Sequence, residues 1–140
     1  LHQVEQGKLS LDQDIRQFIG MPARLRYLED GFPQAVTLRH LLTHTGGFDD
    51  RYIGKSARTR AEALPLGEAV ETLMPKRFIA SGELASYSNF GAALAGYLLE
   101  QVSGQSFAAA MRQEVFVPLG MNDSSFDPDR EAQQQLMTGY

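Results

Sequence analysis

Asn89–Ser103, with the sequence NFGAALAGYLLEQVS, is the stretch that decides the fold of this chain. Its larger apolar residues recur at helical spacing and a glycine, Gly104, follows directly, so the pattern predicts a helix that ends there. Small apolar residues fill most of the opposite side, which is typical of a helix buried inside a domain. Gly91 and Gly96 each lower helix propensity by about 1 kcal/mol relative to alanine. We therefore expect another backbone to pack close to them.

The start of the chain carries further helix signals. Residues 1–6 have the pattern of the last turn of a helix, and Gly7 suits the position just beyond it. Ser10 or Asp12 is predicted to cap a short helix that runs to about Ile19.

Three more helices are predicted from capping residues and prolines. Thr37 caps a helix to His44, Pro65 starts one that ends near Met74, and Ser106 caps one to about Val115. The predicted fold class is therefore mostly α.

Composition excludes several kinds of function. The 140 residues correspond to about one domain. With 13 Lys and Arg against 17 Asp and Glu, the net charge of −4 argues against a nucleic-acid partner, because binding phosphates requires a basic surface. The longest apolar run, residues 90–99, is shorter than the roughly 20 residues that span a bilayer. The absence of cysteine excludes disulfides, thiolate metal sites and a cysteine nucleophile.

Two histidines are the first candidates for chemistry. His40 and His44 lie four residues apart on a predicted helix, so both could face one metal ion. The zinc-protease pattern needs a glutamate after the first histidine, but Leu41 stands there, and no third ligand is obvious nearby. We therefore predict no metal, and histidines that order a glycine-rich turn.

Residues 86–89, Ser-Tyr-Ser-Asn, are the second candidate, between a predicted turn at residues 81–83 and the apolar helix. The hydroxyl of Tyr87 is expected to be free to point into a cleft, and Asn89 offers both a donor and an acceptor. A tyrosine hydroxyl acts as a general base only where nearby positive charge brings its pKa well below about 10. The alternative is a surface turn that leads into the start of a helix.

Several segments together resemble the serine β-lactamase and penicillin-binding-protein family, in its class C-like branch. These segments are residues 4–12, residues 37–47, residues 82–91 with the motif Tyr-x-Asn, and residues 115–121. They occur in the order of the family and cover nearly the whole chain. The branch also holds D-alanyl-D-alanine carboxypeptidases, esterases and D-amino-acid peptidases. The resemblance implies the helical region of a β-lactamase-like α+β fold, an α/β sandwich plus a helical domain, without most of the sheet domain.

The resemblance also implies roles for two residues. Tyr87 would be the general base that shuttles a proton, and Asn89 would bind the side-chain amide of the substrate. The family's nucleophile is a serine followed three residues later by a lysine, and none of the serines here fits that pattern. The family's third motif, a Lys-x-Gly or His-x-Gly strand, is also missing. Residues 1–140 are therefore expected to be a partial domain, truncated at both ends and inactive as it stands.

Two functions remain open at this point. The first is a fragment of a serine hydrolase that acts through an acyl-enzyme on an amide, lactam or ester, with a small-molecule or peptide substrate and no cofactor. The second is a non-catalytic family member, serving as a helical binding or regulatory module. The resemblance implies an extracytoplasmic location, periplasmic or secreted.

Overall fold

The computed structural model describes residues 1–18, 31–50 and 62–126, and this part of the chain is mostly helical. Its α-helices are α1 (His2–Glu5), α2 (Leu38–Leu42), α3 (Leu66–Thr72), α4 (Asn89–Ser103) and α5 (Phe107–Met111). A 3-10 turn covers Ile15–Gln17, and a π-helical turn, Arg112–Phe116, continues α5. Across the described ranges there is no β-strand beyond two isolated bridges, Asp14 with Thr37 and Phe48 with Arg77. The mostly α prediction is confirmed there.

The helix α4 has the predicted bounds at both ends. Ser88 caps its start, where the side-chain Oγ accepts a hydrogen bond from the backbone N–H of Gly91 at 3.1 Å. Gly104 closes its end in the left-handed conformation, with φ 69°. An L-residue with a side chain rarely adopts that conformation, so glycine is the expected residue just beyond a helix.

The core is built around α4, which packs against α1, α2, α3 and α5. Leu94 and Leu98 are fully buried on it, and the ring of Phe90 meets that of Phe48 edge-on at 5.0 Å. Burying a leucine side chain contributes about 1.5–3 kcal/mol. The expectation that α4 is a buried helix is therefore confirmed.

The two glycines of α4 have different neighbours. A Cβ atom at Gly91 would lie 3.7 Å from Cβ of Ser88 and 3.9 Å from the carbonyl oxygen of Leu41, so the backbone of α2 is in van der Waals contact there. At Gly96 the nearest atoms belong instead to the ring of Phe107, which would lie 3.3 Å from a Cβ atom at this position. The expected backbone contact is thus found at Gly91 and is wrong for Gly96, where an aromatic side chain takes the space.

The predicted cap of the second segment is wrong. Asp14, not Ser10 or Asp12, caps the 3-10 turn, since its carboxylate accepts from the backbone N–H of Arg16 at 3.0 Å. Asp12 instead pairs with Arg39, whose Nε donates to its Oδ1 at 2.6 Å. The predicted end of this segment at residue 19 lies outside the described residues.

The helix α2 begins as predicted and ends earlier. The Oγ1 of Thr37 accepts from the backbone N–H of His40, whose Nδ1 accepts in return from the N–H of Thr37, each at 3.3 Å. The predicted end at His44 is wrong, because α2 stops at Leu42 and His44 has a positive φ of 55°. His44 therefore lies outside the helix.

The remaining predicted helices are present. Pro65 precedes α3, which ends at Thr72, two residues before the predicted Met74. Ser106 caps α5 through a hydrogen bond from the N–H of Ala109 at 3.2 Å. The helical path then continues through the π-helical turn to Phe116, close to the predicted end.

An open apolar groove of about 380 Å³ runs along one side of α4. Its lining includes Leu38, Leu42, Ala92, Leu99 and Met111. None of the described helices is both long enough and apolar enough to cross a membrane.

Candidate active site

The segment before α4 is held by backbone hydrogen bonds to the turn after α2. The N–H of Gly82 donates to the carbonyl of Thr45, and the N–H of Ser86 donates to the carbonyl of His44, both at 2.8 Å. Gly82 has φ 89°, a conformation that glycine adopts without strain. The predicted turn at residues 81–83 is present. These contacts fix the backbone that presents Tyr87.

A second contact packs the same two regions tightly. Gly47 has φ 78°, and a Cβ atom there would lie only 2.1 Å from the carbonyl oxygen of Ile79. The carbonyl of Gly47 accepts from the N–H of Phe78 at 3.0 Å. Arg77 ties the segment further, because its guanidinium donates to the carbonyl of Phe32 at 2.7 Å. Only glycine fits at position 47 without moving the backbone.

His44 joins the turn to the start of α4 through its side chain. Its Nδ1 accepts a hydrogen bond from the backbone N–H of Ser88 at 3.3 Å. Its ring also contacts the ring of Tyr87, with centroids 4.7 Å apart. His44 thus contacts the ring of Tyr87 and holds the start of α4, and it does not lie on one helix face with His40.

The two histidines accept hydrogen bonds from different parts of the backbone. The Nδ1 of His40 accepts from the N–H of Thr37 and the Nδ1 of His44 from the N–H of Ser88, so a backbone group occupies one nitrogen of each ring. Within residues 1–18, 31–50 and 62–126, no three histidine, aspartate or glutamate side chains are grouped so that they could hold a metal ion.

Tyr87 and Asn89 lie side by side at the start of α4. The hydroxyl of Tyr87 donates to Oδ1 of Asn89 at 3.0 Å. The side chain of Tyr87 is largely exposed, at 65%. The expectation that this hydroxyl is free is therefore wrong, since it already donates a hydrogen bond to Asn89. The two motif residues form one hydrogen-bonded unit at the surface.

Asp50 completes this unit, and sequence reasoning missed it. Its Oδ1 accepts from the backbone N–H of Asn89 at 3.2 Å, and its Oδ2 accepts from the side-chain Nδ2 at 3.0 Å. A carboxylate at the first turn of a helix is also favoured by the helix dipole. The two residues are 39 positions apart in the sequence, so no local pattern indicated the contact.

The chain that carries Tyr87 and Asn89 is similar in sequence to a known protein family. The whole chain, residues 1–140, matches the family model described as Beta-lactamase. The chain belongs to the Beta-lactamase family. The recognition made from the motifs is thereby confirmed.

Two curated relatives illustrate the range of this family. Esterase EstB of Burkholderia gladioli is 32% identical over 146 residues, which cover 94% of this chain and 36% of that protein. Penicillin-binding protein 4* of Bacillus subtilis (strain 168) is 31% identical over 99 residues, which cover 67% of this chain and 22% of that protein. The chain thus spans about a third or less of the length of these relatives.

A solved structure shows the fold to which the described helices belong. The β-lactamase/D-alanine carboxypeptidase from Yersinia pestis complexed with citrate superposes with a TM-score of 0.76 at 22% identity. The match covers 98% of this chain and 39% of that one. The helices described above therefore have the arrangement found in a β-lactamase fold, and the names of the relatives include those of hydrolases, an esterase and a carboxypeptidase.

Proposed function

We propose that residues 1–140 form the helical part of a longer serine hydrolase that works by acyl transfer. In this proposal Tyr87 is the general base and Asn89 binds the substrate. The observation that carries the proposal is the Tyr-x-Asn pair, with its side chains 3.0 Å apart at the start of the buried helix α4. The match of all 140 residues to the Beta-lactamase family supports it.

The chemical step needs a serine from outside these 140 residues, because no serine here is followed three residues later by a lysine. Tyr87 acts from its ionised form, in which it no longer donates a hydrogen bond to Asn89. The serine's Oγ attacks the substrate carbonyl carbon while its proton passes to the phenolate oxygen of Tyr87. The bond from the carbonyl carbon to the leaving nitrogen or oxygen then breaks, and Tyr87 returns the proton to the leaving group. Water hydrolyses the acyl-enzyme by the same proton path. A lysine beside the phenolic oxygen would favour its ionised form.

Asn89 is suited to binding an amide of the substrate. Its Oδ1 accepts one hydrogen bond, from the hydroxyl of Tyr87, and an amide oxygen has two lone pairs. The second lone pair can accept an N–H from the substrate, and Nδ2 keeps one N–H beyond the one donated to Asp50 that can donate to a substrate carbonyl. This favours substrates that carry an amide next to the carbonyl that is attacked.

The substrate class we propose is an amide, lactam or ester of a small molecule or peptide. No cofactor takes part in the proposed step, since the proton moves between side chains and the nucleophile is a hydroxyl. By resemblance to the family, we place the longer protein outside the cytoplasm, in the periplasm or secreted.

A non-catalytic binding or regulatory module is the second candidate function. One observation favours it: the hydroxyl of Tyr87 is engaged by Asn89. In such a module the pair would serve only to order the start of α4.

One experiment separates the two candidates. The gene is sequenced upstream of the codon for Leu1. The longer protein is then incubated with a penicillin or a p-nitrophenyl ester, and its mass is measured by mass spectrometry. The hydrolase predicts a Ser-x-x-Lys motif and an added mass equal to the acyl group, lost when that serine is replaced by alanine. A substituted motif and no acyl adduct would support the module and contradict the hydrolase.

A further inference from the structure

We propose that Asp50 is a positioning residue that acts through Asn89 to hold the hydroxyl of Tyr87 in its protonated form, and so raises the pH at which the enzyme becomes active. This inference rests on the proposed function above, in which Tyr87 loses this proton before it acts as the base. It starts from a chain of two hydrogen bonds. Nδ2 of Asn89 donates to Oδ2 of Asp50 at 3.0 Å, and the hydroxyl of Tyr87 donates to Oδ1 of Asn89 at 3.0 Å.

The direction of this chain follows from the carboxylate at its far end. An ionised carboxylate only accepts hydrogen bonds, so the NH₂ end of the Asn89 amide faces Asp50 and the Oδ1 end faces Tyr87. An amide oxygen also only accepts, so Oδ1 can take a hydrogen bond from the hydroxyl but can give none to a phenolate. A hydrogen bond to the neutral form of a group disfavours its ionisation. The chain therefore favours the hydroxyl over the phenolate.

The carboxylate of Asp50 is held in place, as a positioning role requires. Its Oδ1 accepts from the backbone N–H of Asn89 at 3.2 Å, so the start of α4 fixes one end of the carboxylate. The N–H of Asp49 donates to the carbonyl of Lys76 at 3.1 Å, and Phe48 is buried beside the ring of Phe90. Asp50 therefore reaches Asn89 from an anchored segment.

Other titratable groups also lie near Tyr87. The ring of His44 contacts the ring of Tyr87, with centroids 4.7 Å apart. Asp49 accepts at Oδ1 from the N–H of Asp50 at 2.8 Å and carries the same charge as Asp50. The lysine of the proposed Ser-x-x-Lys motif would act in the opposite sense, because a positive charge favours the phenolate. Asp50 differs from these groups in acting on the proton through the Asn89 amide.

Replacing Asp50 with asparagine reverses the chain with little change of shape. The new side-chain oxygen keeps the hydrogen bond from the backbone N–H of Asn89, and the new NH₂ group takes the place of Oδ2. Asn89 then turns its Oδ1 towards this NH₂ group, so its own NH₂ group faces Tyr87 and donates to the phenolate.

The first measurement is the pH profile of single-turnover acylation of the longer protein by a p-nitrophenyl ester, from about pH 5 to pH 9. For Asp50→Asn, we expect the rise of the acylation rate with pH to move about one unit towards lower pH. A shift of this size corresponds to one of the weaker hydrogen bonds to a charged group.

The second measurement follows the proton itself. The ¹³C chemical shift of Tyr87 Cζ, assigned by comparison with Tyr87→Phe, reports the ionisation of the hydroxyl, and its titration should move by the same amount in Asp50→Asn. Asp49→Asn removes an equal charge one residue away and should leave both curves unchanged. Adding Asp50→Asn to Asn89→Ala should move neither curve further, since Asp50 acts through Asn89. If Asp50→Asn fails to fold, Asp50→Ala frees the amide to turn and should shift both curves in the same direction by less.

The possible failures are distinguishable. If the Tyr87 titration is unchanged in Asp50→Asn, or moves equally in Asp49→Asn, the positioning role is wrong and the proposed function stands. If the unaltered longer protein is not acylated at any pH, the proposed function is wrong, and the inference fails with it.

Discussion

Replacing His44 with alanine tests how the turn after α2 supports the candidate site. The substitution removes the acceptor of the Ser88 N–H and the ring that contacts Tyr87. Ser88 is only 4% exposed, so its N–H would lose its partner in a place that water reaches poorly, at a cost of about 1–3 kcal/mol. The lost ring contact adds about 0.5 kcal/mol, the low end of its usual range, because Tyr87 is 65% exposed. The expected loss of unfolding free energy is about 1.5–3.5 kcal/mol.

A matched variant separates the side chain from the backbone. His44 has φ 55°, where a glycine is unstrained and an alanine costs about 1 kcal/mol. His44→Gly loses the same ring as His44→Ala but should therefore be about 1 kcal/mol more stable than it. His44→Asn should be the mildest change, because asparagine tolerates this conformation and carries an acceptor oxygen.

The assay is chemical denaturation of the longer protein together with hydrogen exchange at the Ser88 amide. A loss of about 1.5–3.5 kcal/mol corresponds to exchange about 10 to 400 times faster at that amide. We read His44 as a support and not as a catalytic base. Acylation lost in His44→Ala with an unchanged denaturation curve would refute that reasoning, and so would unchanged exchange at Ser88.

Three other predictions address packing, pH and activity. Gly47→Ala should lose more than about 2 kcal/mol of unfolding free energy in chemical denaturation, because its Cβ would lie 2.1 Å from the carbonyl oxygen of Ile79. The control Gly120→Ala should lose only about 1 kcal/mol, because Gly120 also has a positive φ, 68°, but has open space around it. Burial by itself would raise the pKa of Asp14, but hydrogen bonds from the Arg16 side chain and backbone outweigh burial and lower this pKa. The ionised Asp14 therefore stabilises the fold above about pH 4, and this stabilisation is lost as the pH falls through the lowered pKa. Asp14→Asn should thus lower the melting temperature at pH 7 and leave it nearly unchanged at pH 2; equal effects at both would contradict this. The purified 140-residue chain should hydrolyse neither a chromogenic cephalosporin nor a p-nitrophenyl ester above buffer, because the nucleophile and lysine are not in it, and turnover would contradict that.

Features of the fold that depend on local chemistry were predictable from the sequence. The end of α4 follows from its apolar spacing and from the glycine at 104, and the caps of α2 and α5 follow from Thr37 and Ser106. Each of these signals acts within about four residues, which is the range over which helix spacing and capping patterns operate.

Contacts between distant segments were not predictable in the same way. The carboxylate of Asp50 reaches Asn89 across 39 residues, and nothing in either local sequence indicates it. The spacing of His44 from His40 fits a helix, but His44 has a left-handed backbone conformation. It accepts hydrogen bonds from the backbone N–H groups of Ser86 and Ser88, which lie in the segment before α4. Several spaced segments together, the Tyr-x-Asn motif among them, identified the family, and tertiary contacts determine how the pair is oriented.

The most direct test of the proposed mechanism is single-turnover acylation by Tyr87→Phe in the longer protein. The change removes one exposed hydroxyl and its hydrogen bond to Asn89 but keeps the ring against His44, so folding should be little affected. We expect the acylation rate to fall about 10²–10⁴-fold, the usual contribution of a general base, with substrate affinity nearly unchanged. Asn89→Ala should instead lose both affinity and rate, because it binds the substrate. A Tyr87→Phe protein that folds normally and acylates as fast as the unaltered protein would contradict the assignment of Tyr87 as the base.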